Sequence, residues 1–377
     1  MKKIVILIGF LPEPRMLNRI ELEKQLGELH VICWNKKKNM LEMPSENGFT
    51  MHVISKEAGA DPVKRMVPYA LFAREASRLL REIQPSMIHV QGLDMLKIAC
   101  SYQKRSRQKV HIIYEVADLH RLLVDKQMNP VKQILQRYLR REDRCLEGRY
   151  DLLILTSMKF YDAYFQEFVS QEKILYMPNI PNLKAFRNYH KKEGNQDFTV
   201  GYIGSVRYKQ QMRNLIEAAK RCGIHLLIAG FESEPVEIEP LCKDDPNIEW
   251  IGRFDFNARA AELYGKCDVM YSVYDADMHN VRVALPNKLY ESTYCEMPLI
   301  VARNTYLAEM VEDWGVGAAV DHRSVEDLAA VLCDLRDHSA KCAQIAENCR
   351  KHREELDLRI YNEQLKECML TILGNAE

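Results

Sequence analysis

Two doubly wound α/β domains in series are what this 377-residue sequence predicts. Three observations carry the expectation. Short, continuously apolar runs alternate with amphipathic stretches along the chain. The alternation breaks once, in a turn-rich segment near residue 180, and then restarts. The length also exceeds one ordinary core and suits two domains of roughly 150–200 residues.

In the first half, strand-like runs fall at 3–9, 29–34, 50–54, 87–91, 110–115, 152–156 and 174–177, with helical patterns at 61–83, 94–108 and 130–148. Uninterrupted apolar strands alternating with helices imply a parallel sheet covered on both faces. Pro178-Asn179-Ile180-Pro181-Asn182 and the polar run 190–197 then carry no periodic apolar face and read as a linker. The pattern resumes with strands at 199–203, 225–229, 248–251, 269–273 and 299–301 and helices at 210–222, 257–264 and 287–295. The predicted organisation is a first domain over 1–180, a linker over 181–198 and a second domain over 199–353. A last helix at about 354–373 is able to pack on either.

Composition narrows the class. With 47% hydrophobic and 28% charged residues the chain is globular. The apolar run Ile4-Val5-Ile6-Leu7-Ile8 is too short for a membrane span and lacks a signal-peptide cleavage pattern, so it reads as a buried strand. Eleven cysteines without a CxxC pair fit reduced thiols in a cytoplasmic protein. The zero net charge divides into +8 for residues 1–178 and −8 for the rest, which points to a negatively charged partner for the first half.

Two stretches carry the chemistry. In 199–218 a strand ends at Gly204-Ser205 and a helix starts within a few residues, with Arg207, Lys209 and Arg213 around the start. Cations in a first helical turn oppose the helix dipole unless an anion binds there. In Pro286-Asn287-Lys288-Leu289-Tyr290-Glu291, Asn287 is placed as an N-cap, with Lys288 in the first turn and Glu291 on the same face. A cation for phosphate beside a carboxylate for ribose hydroxyls suits a nucleotide sugar. Each stretch alone is equally readable as a solvated basic face or a surface ion pair.

These residues resemble the donor domain of retaining GT-B glycosyltransferases, in particular family 4 of bacterial polysaccharide and capsule synthesis. The resemblance implies two Rossmann-like domains facing across a cleft, in a metal-independent transferase with no cofactor beyond its nucleotide diphosphate sugar substrate. It implies donor binding by Gly204, Ser205, Arg207, Lys209, Asn287, Lys288, Leu289 and Glu291. Asn247-Ile248-Glu249-Trp250-Ile251-Gly252 is similar to the base-recognition segment, with Ile251 and Gly252 meeting the nucleobase through backbone groups. Where many members carry a second glutamate, eight positions before the ribose glutamate, this sequence has Val283.

The first half resembles the family more faintly. Gly9 and Arg15 lie in and just after the loop following the first strand, which faces the donor in the family. Ser86 replaces an aspartate in the segment 85–92, where His89 reads as core. Asp118 and His120 follow the strand end where the family meets the sugar, and are the catalytic candidates. Either can bond a sugar hydroxyl or accept a proton; a capping aspartate and a loop histidine are the plain alternatives.

Asp275-Ala276-Asp277 matches a metal-binding pattern of another glycosyltransferase fold but reads here as a loop, and no obligatory metal is expected. Basic residues interleaved with apolar ones at 63–81 and 132–149 suggest helices lying on an anionic membrane, where a polyprenyl-diphosphate-linked or other saccharide acceptor would reside; solvated basic faces are the alternative. The expected location is cytoplasmic, peripheral on the inner face of the plasma membrane. Two rivals stay open: a nucleotide-sugar 2-epimerase and a catalytically silent nucleotide-sugar-binding subunit. A nicotinamide enzyme is disfavoured because Phe10-Leu11-Pro12 follows Gly9 rather than a GxGxxG turn. No nucleic-acid reader motif accompanies the basic residues.

Overall fold

The computed structural model describes residues 2–374 apart from 38–46, 60, 126–127, 192–196, 234–235 and 243–244. The chain forms two compact units, Met1–Asn179 with Leu358–Glu377, and Ile180–Asp357.

In the first unit, strands β1 (Lys3–Ile8), β2 (Glu28–Asn35), β3 (Thr50–Ser55), β4 (Met87–Gln91), β5 (His111–Val116), β6 (Leu152–Leu155) and β7 (Ile174–Tyr176) form one sheet in the order β3-β2-β1-β4-β5-β6-β7. Every pairing is parallel. Helices α1 (Pro14–Glu23), α2 (Pro62–Ile83), α3 (Leu93–Gln103) and α4 (Pro130–Leu146) supply crossovers. Ile4 through Ile8 are wholly buried, as an unbroken apolar strand requires when both faces are covered.

The second unit has β8 (Thr199–Ile203), β9 (His225–Ala229), β10 (Ile248–Gly252), β11 (Val269–Ser272), β12 (Leu299–Ala302) and β13 (Gly317–Val320), ordered β10-β9-β8-β11-β12-β13 and again parallel throughout. Its main helices include α5 (Lys209–Cys222), α6 (Phe256–Gly265), α7 (Lys288–Tyr294) and α8 (Val325–Asp337). Strand β13, Gly-Ala-Ala-Val, escaped the sequence reading because it lacks a bulky apolar run. Each sheet reverses strand order once, at β1/β4 and at β8/β11, and ligands of open parallel sheets bind beyond the carboxyl ends at such points. These are the two doubly wound, Rossmann-like sheets expected of a GT-B fold.

The last helix, α9 (Leu358–Gly374), belongs to the first unit: Leu365, Met369 and Leu373 share a core with Ile4, Ile6, Met16 and Ile20. The expected linker differs from its reading. Asn182 caps a short helical turn at Leu183–Phe186, accepting from the Lys184 N–H at 3.1 Å. Phe186 is buried, its ring centroid 5.0 Å from Tyr264 in an edge-on packing. One aromatic anchor fixes this segment to the second unit without any periodic pattern. Residues 192–196 of the polar run lie outside the described residues. Among the described residues no helix is long and apolar enough to cross a membrane.

The first unit encloses charge. Arg19 Nε bonds Glu115 at 3.0 Å, Arg15 Nε lies 3.4 Å from the same carboxylate, and His89 sits between Glu23 at 2.5 Å and Glu115 at 3.2 Å. His89, Glu23 and Glu115 are wholly buried. Burial alone would lower the His89 pKa, but the two carboxylates overcome this and lift it to about 9. Burial would raise Glu115, yet Arg19, His89 and Arg15 hold it well below the usual carboxylate range. Asp143, buried on the inner face of α4, has no such compensation: desolvation pushes it up to about 6, against the pull of Tyr164 and Lys97.

Two pH dependences of stability follow. A raised histidine pKa stabilises the fold fully below the unfolded value near 6.5 and ceases to do so as pH rises through about 9. Thermal unfolding followed by circular dichroism should therefore show a loss across that window that is missing in His89→Gln. For Asp143 the sign is opposite: the unfolded chain ionises it first, so stability falls as pH rises from 3.8 to about 6 and stays at that lower level above it. Asp143→Asn should raise the midpoint at pH 8 by more than at pH 5, with an upper bound of about 3 kcal/mol.

Candidate functional site

The site forms beyond the carboxyl ends of β8, β9 and β10. Gly204 follows β8 with φ +139° and Gly230 follows β9 with φ +154°, conformations that side chains with a Cβ rarely adopt. A Cβ on Gly230 would meet the Gly204 carbonyl oxygen at 1.6 Å. The Gly204 N–H donates to Ala229 and the Gly230 N–H to Gly252, each at 2.8 Å. Three strand ends therefore stay stitched together past the sheet, forming a floor of bare backbone.

Lys288 lies across that floor. A Cβ on Gly204 would sit 3.8 Å from Lys288 Cε and 3.9 Å from Nζ. The two stretches that the sequence singles out, distant along the chain, thus meet in space at Gly204 and the side chain of Lys288. Its ammonium donates to the Tyr264 hydroxyl at 2.9 Å and pairs with Glu291 Oε2, and the Tyr264 hydroxyl donates to the same carboxylate oxygen. Glu291 is 2% exposed and Tyr264 fully buried. Burial, reinforced by the adjacent Glu291, drives the Tyr264 hydroxyl well above its ordinary pKa, so it stays protonated and remains a donor. Lys288 also stands 5.5 Å from the Tyr264 ring centroid and 5.9 Å from that of Phe256. Tyr264 escaped the sequence reading because nothing in the spacing connects the end of α6 to the start of α7.

The other predicted donor residues fall in different surroundings. Asn287 occupies the N-cap position, but its backbone is already helical (φ −53°, ψ −24°) and its side chain makes no capping bond. This corrects the expected cap. Leu289 is core, and its N–H is taken by the Pro286 carbonyl at 3.2 Å. Ser205 and Ser233 hydroxyls are bonded at 2.7 Å. Arg207 is exposed, 5.5 Å from the ring of Tyr208, a residue held at φ +63° just before α5. Lys209 pairs with Glu237 at 2.7 Å, so a carboxylate of the protein already answers that charge.

At β10 the register slips between Trp250 and Gly252, leaving Ile251 as a bulge beside β9. Bulges re-aim backbone groups at the rims of sheets. Phe231, directly after Gly230, is 48% exposed, and the Arg253 guanidinium sits 5.5 Å from its ring. The sequence reading passed over both, since a single exposed aromatic has no pattern. Val283 is buried at the end of a short helix, His279–Val283.

In the first unit, Gly9 faces Met95, whose Cε would lie 3.4 Å from a Cβ on the glycine. Arg15 is engaged with Glu115, as described. Asp118 and His120 are exposed in the loop after β5, where His120 Nδ1 accepts the Leu122 N–H at 3.2 Å. Among possible metal ligands, Asp275, Asp277 and His322 bring donor atoms within 4.8 Å of one another. Asp277 is already paired with Arg323, and His322 Nδ1 lies 3.1 Å from the Gln211 amide. The sequence reading saw Asp275 and Asp277 as a loop and did not connect them with His322.

Comparison with known proteins agrees with this layout. Residues 185–352 match the family described as Glycosyl transferases group 1. The chain is 23% identical over 280 residues to the succinoglycan biosynthesis protein ExoL of Rhizobium meliloti (strain 1021), covering 70% of this chain and 68% of that protein. The fold is similar to that of sucrose-phosphate synthase from Thermosynechococcus elongatus, with TM-score 0.75, 15% identity and full coverage of both chains. It is also similar to HepE of Anabaena in complex with UDP, with TM-score 0.71 and 15% identity over 98% of this chain and 100% of that one. Taken together these similarities support a glycosyl transfer enzyme with the GT-B fold.

Proposed function

We propose that this protein transfers a sugar from a nucleoside diphosphate to a hydroxyl of a saccharide acceptor, lipid-linked, with retention at the transferred anomeric carbon, in the synthesis of a bacterial surface polysaccharide. One observation carries the donor assignment: Lys288 lies across the bare Gly204 turn while bonded to the buried Glu291. The succinoglycan relative supports the polysaccharide setting, and the HepE complex with UDP supports a nucleoside diphosphate donor.

In this reading the diphosphate settles on the Gly204–Gly230 floor and draws the Lys288 ammonium away from Glu291. The carboxylate lone pairs released in that exchange accept from the ribose hydroxyls, while Tyr264 keeps the carboxylate in place. The bulged Ile251 and Gly252 present backbone groups to the base, beside the exposed face of Phe231. As the bond from the anomeric carbon to the phosphate oxygen breaks, charge grows on the β-phosphate and is stabilised by Lys288, with Arg207 exposed on the adjoining turn. The departing phosphate oxygen takes the proton of the acceptor hydroxyl, whose oxygen bonds the anomeric carbon on the same face. Asp118 and His120 are our candidates for holding sugar hydroxyls at the edge of the first sheet.

The test is binding. UDP, GDP and their glucose derivatives are screened by thermal shift and the responding ligand is titrated. Lys288→Gln should weaken that ligand by roughly 10- to 100-fold, the range of one charge-assisted hydrogen bond. Wild-type affinity in this variant would remove the assignment. Tyr264→Phe separates support from contact: it should cost about 1–2 kcal/mol in stability through the bond lost to Glu291, measured by urea unfolding, and weaken binding less than Lys288→Gln does.

A further inference from the structure

We propose that helix α4 is a docking face for an anionic lipid surface, with the apolar stripe Val131, Ile134, Leu135 and Tyr138 entering the headgroup region and Arg137 and Arg141 meeting lipid phosphates. Asn129 starts the helix cleanly, accepting the Lys132 N–H at 2.9 Å, and Pro130 occupies the first turn. From there the helix is reversed relative to an ordinary surface helix. Its apolar residues at i, i+3, i+4 and i+7 share one face, and that face points outward: Val131 is 76%, Ile134 61%, Leu135 44% and Tyr138 54% exposed. Its inner side carries the buried Asp143 instead.

The charges on and around this stripe fit lipid. Arg137 and Arg141 are exposed along one border, with Lys132 exposed elsewhere on the first turns. Lys97, from α3, stands 5.6 Å from the Tyr138 ring on the same stripe. Glu142, four residues after Tyr138 on the line of the stripe, has its carboxylate 3.7 Å from Lys97, which offsets its charge, and Arg144 is paired with Glu167. Arg140 turns back to donate to the Leu123 carbonyl at 2.8 Å. An apolar stripe with an aromatic hydroxyl, bordered by arginines, is the composition of helices that lie in a membrane interface. Anionic lipid then adds attraction for each basic residue near the surface.

A second copy of the chain fits less well. Two such faces brought together would oppose arginine to arginine, while Glu142, at the end of the stripe, is already beside Lys97. Helix α2 also exposes Met66, Val67 and Leu71, but only Val67 and Leu71 are i, i+4 neighbours, so its exposed apolar face is shorter than the four-residue stripe of α4. The assignment to α4 is read from that helix alone and does not rest on the sugar-transfer reading.

The experiment is co-sedimentation of the full chain with phosphatidylcholine vesicles, with and without phosphatidylglycerol, at low and high salt. The intact protein should bind the anionic vesicles at least ~10-fold more tightly than the neutral ones, and salt should weaken this binding. Arg137→Glu with Arg141→Glu should abolish the anionic preference. Ile134→Ser with Tyr138→Ser should reduce binding to both vesicle types. These positions are exposed, so circular dichroism melting and the thermal shift with UDP or GDP should match the unsubstituted protein, keeping loss of docking apart from loss of fold or donor site. Absence of binding to anionic vesicles overturns the proposal, as does binding that survives both double substitutions. A concentration-dependent dimer in analytical ultracentrifugation that the same substitutions dissolve would assign the face to self-association and overturn it equally.

Discussion

A carboxylate held out of water governs the second unit. Glu291 is almost wholly buried, and an ion in that position is tolerable only when its partners surround it. Lys288 supplies the countercharge and Tyr264 a neutral hydrogen bond, so α6 and α7 must approach closely enough for both to reach one oxygen. Phe186 packs against the same Tyr264 ring, which draws the entry segment of the unit into the arrangement. Removing one partner leaves a buried charge, and the penalty falls on the fold as well as on any ligand site.

The same arrangement accounts for chemistry. A lysine already bonded to a carboxylate keeps its ammonium oriented instead of sampling solvent. Its place over the Gly204 turn puts that ammonium where three strand ends expose backbone. Incoming phosphate competes with Glu291 for the lysine, and the carboxylate that loses the lysine gains acceptor capacity for hydroxyls. A single salt bridge thus couples two parts of one donor. The contrast with Lys209 is instructive: its partner Glu237 is 66% exposed, so their pair is a screened surface contact of little energetic weight.

The first unit handles buried charge differently. Glu115 is surrounded by Arg15, Arg19 and His89, and His89 in turn by a second carboxylate. This network ties α1 to β4 and β5, the elements around that sheet's reversal of strand order. It also fixes the start of the loop bearing Asp118 and His120, since Glu115 is the next-to-last residue of β5 before it. Arg15, expected from sequence to meet the donor, joins this network through Glu115 at 3.4 Å.

Local patterns were enough to foresee most of the architecture. Apolar runs with little polar interruption mark strands covered on both faces, and twelve of the thirteen strands among the described residues were legible for that reason; β13, built from Gly317, Ala318, Ala319 and Val320, was not. The pairing of Lys288 with Glu291 was also legible, because residues three apart share a helix face whatever the rest of the chain does. What lay beyond one element was not legible: Tyr264 reaching Glu291, Arg15 turning to Glu115, the bulge at Ile251 and the return of α9 to the first unit. Periodicity records which residues lie on one side of an element. Which side is buried, and against what, is decided only when distant elements compete for the same partners.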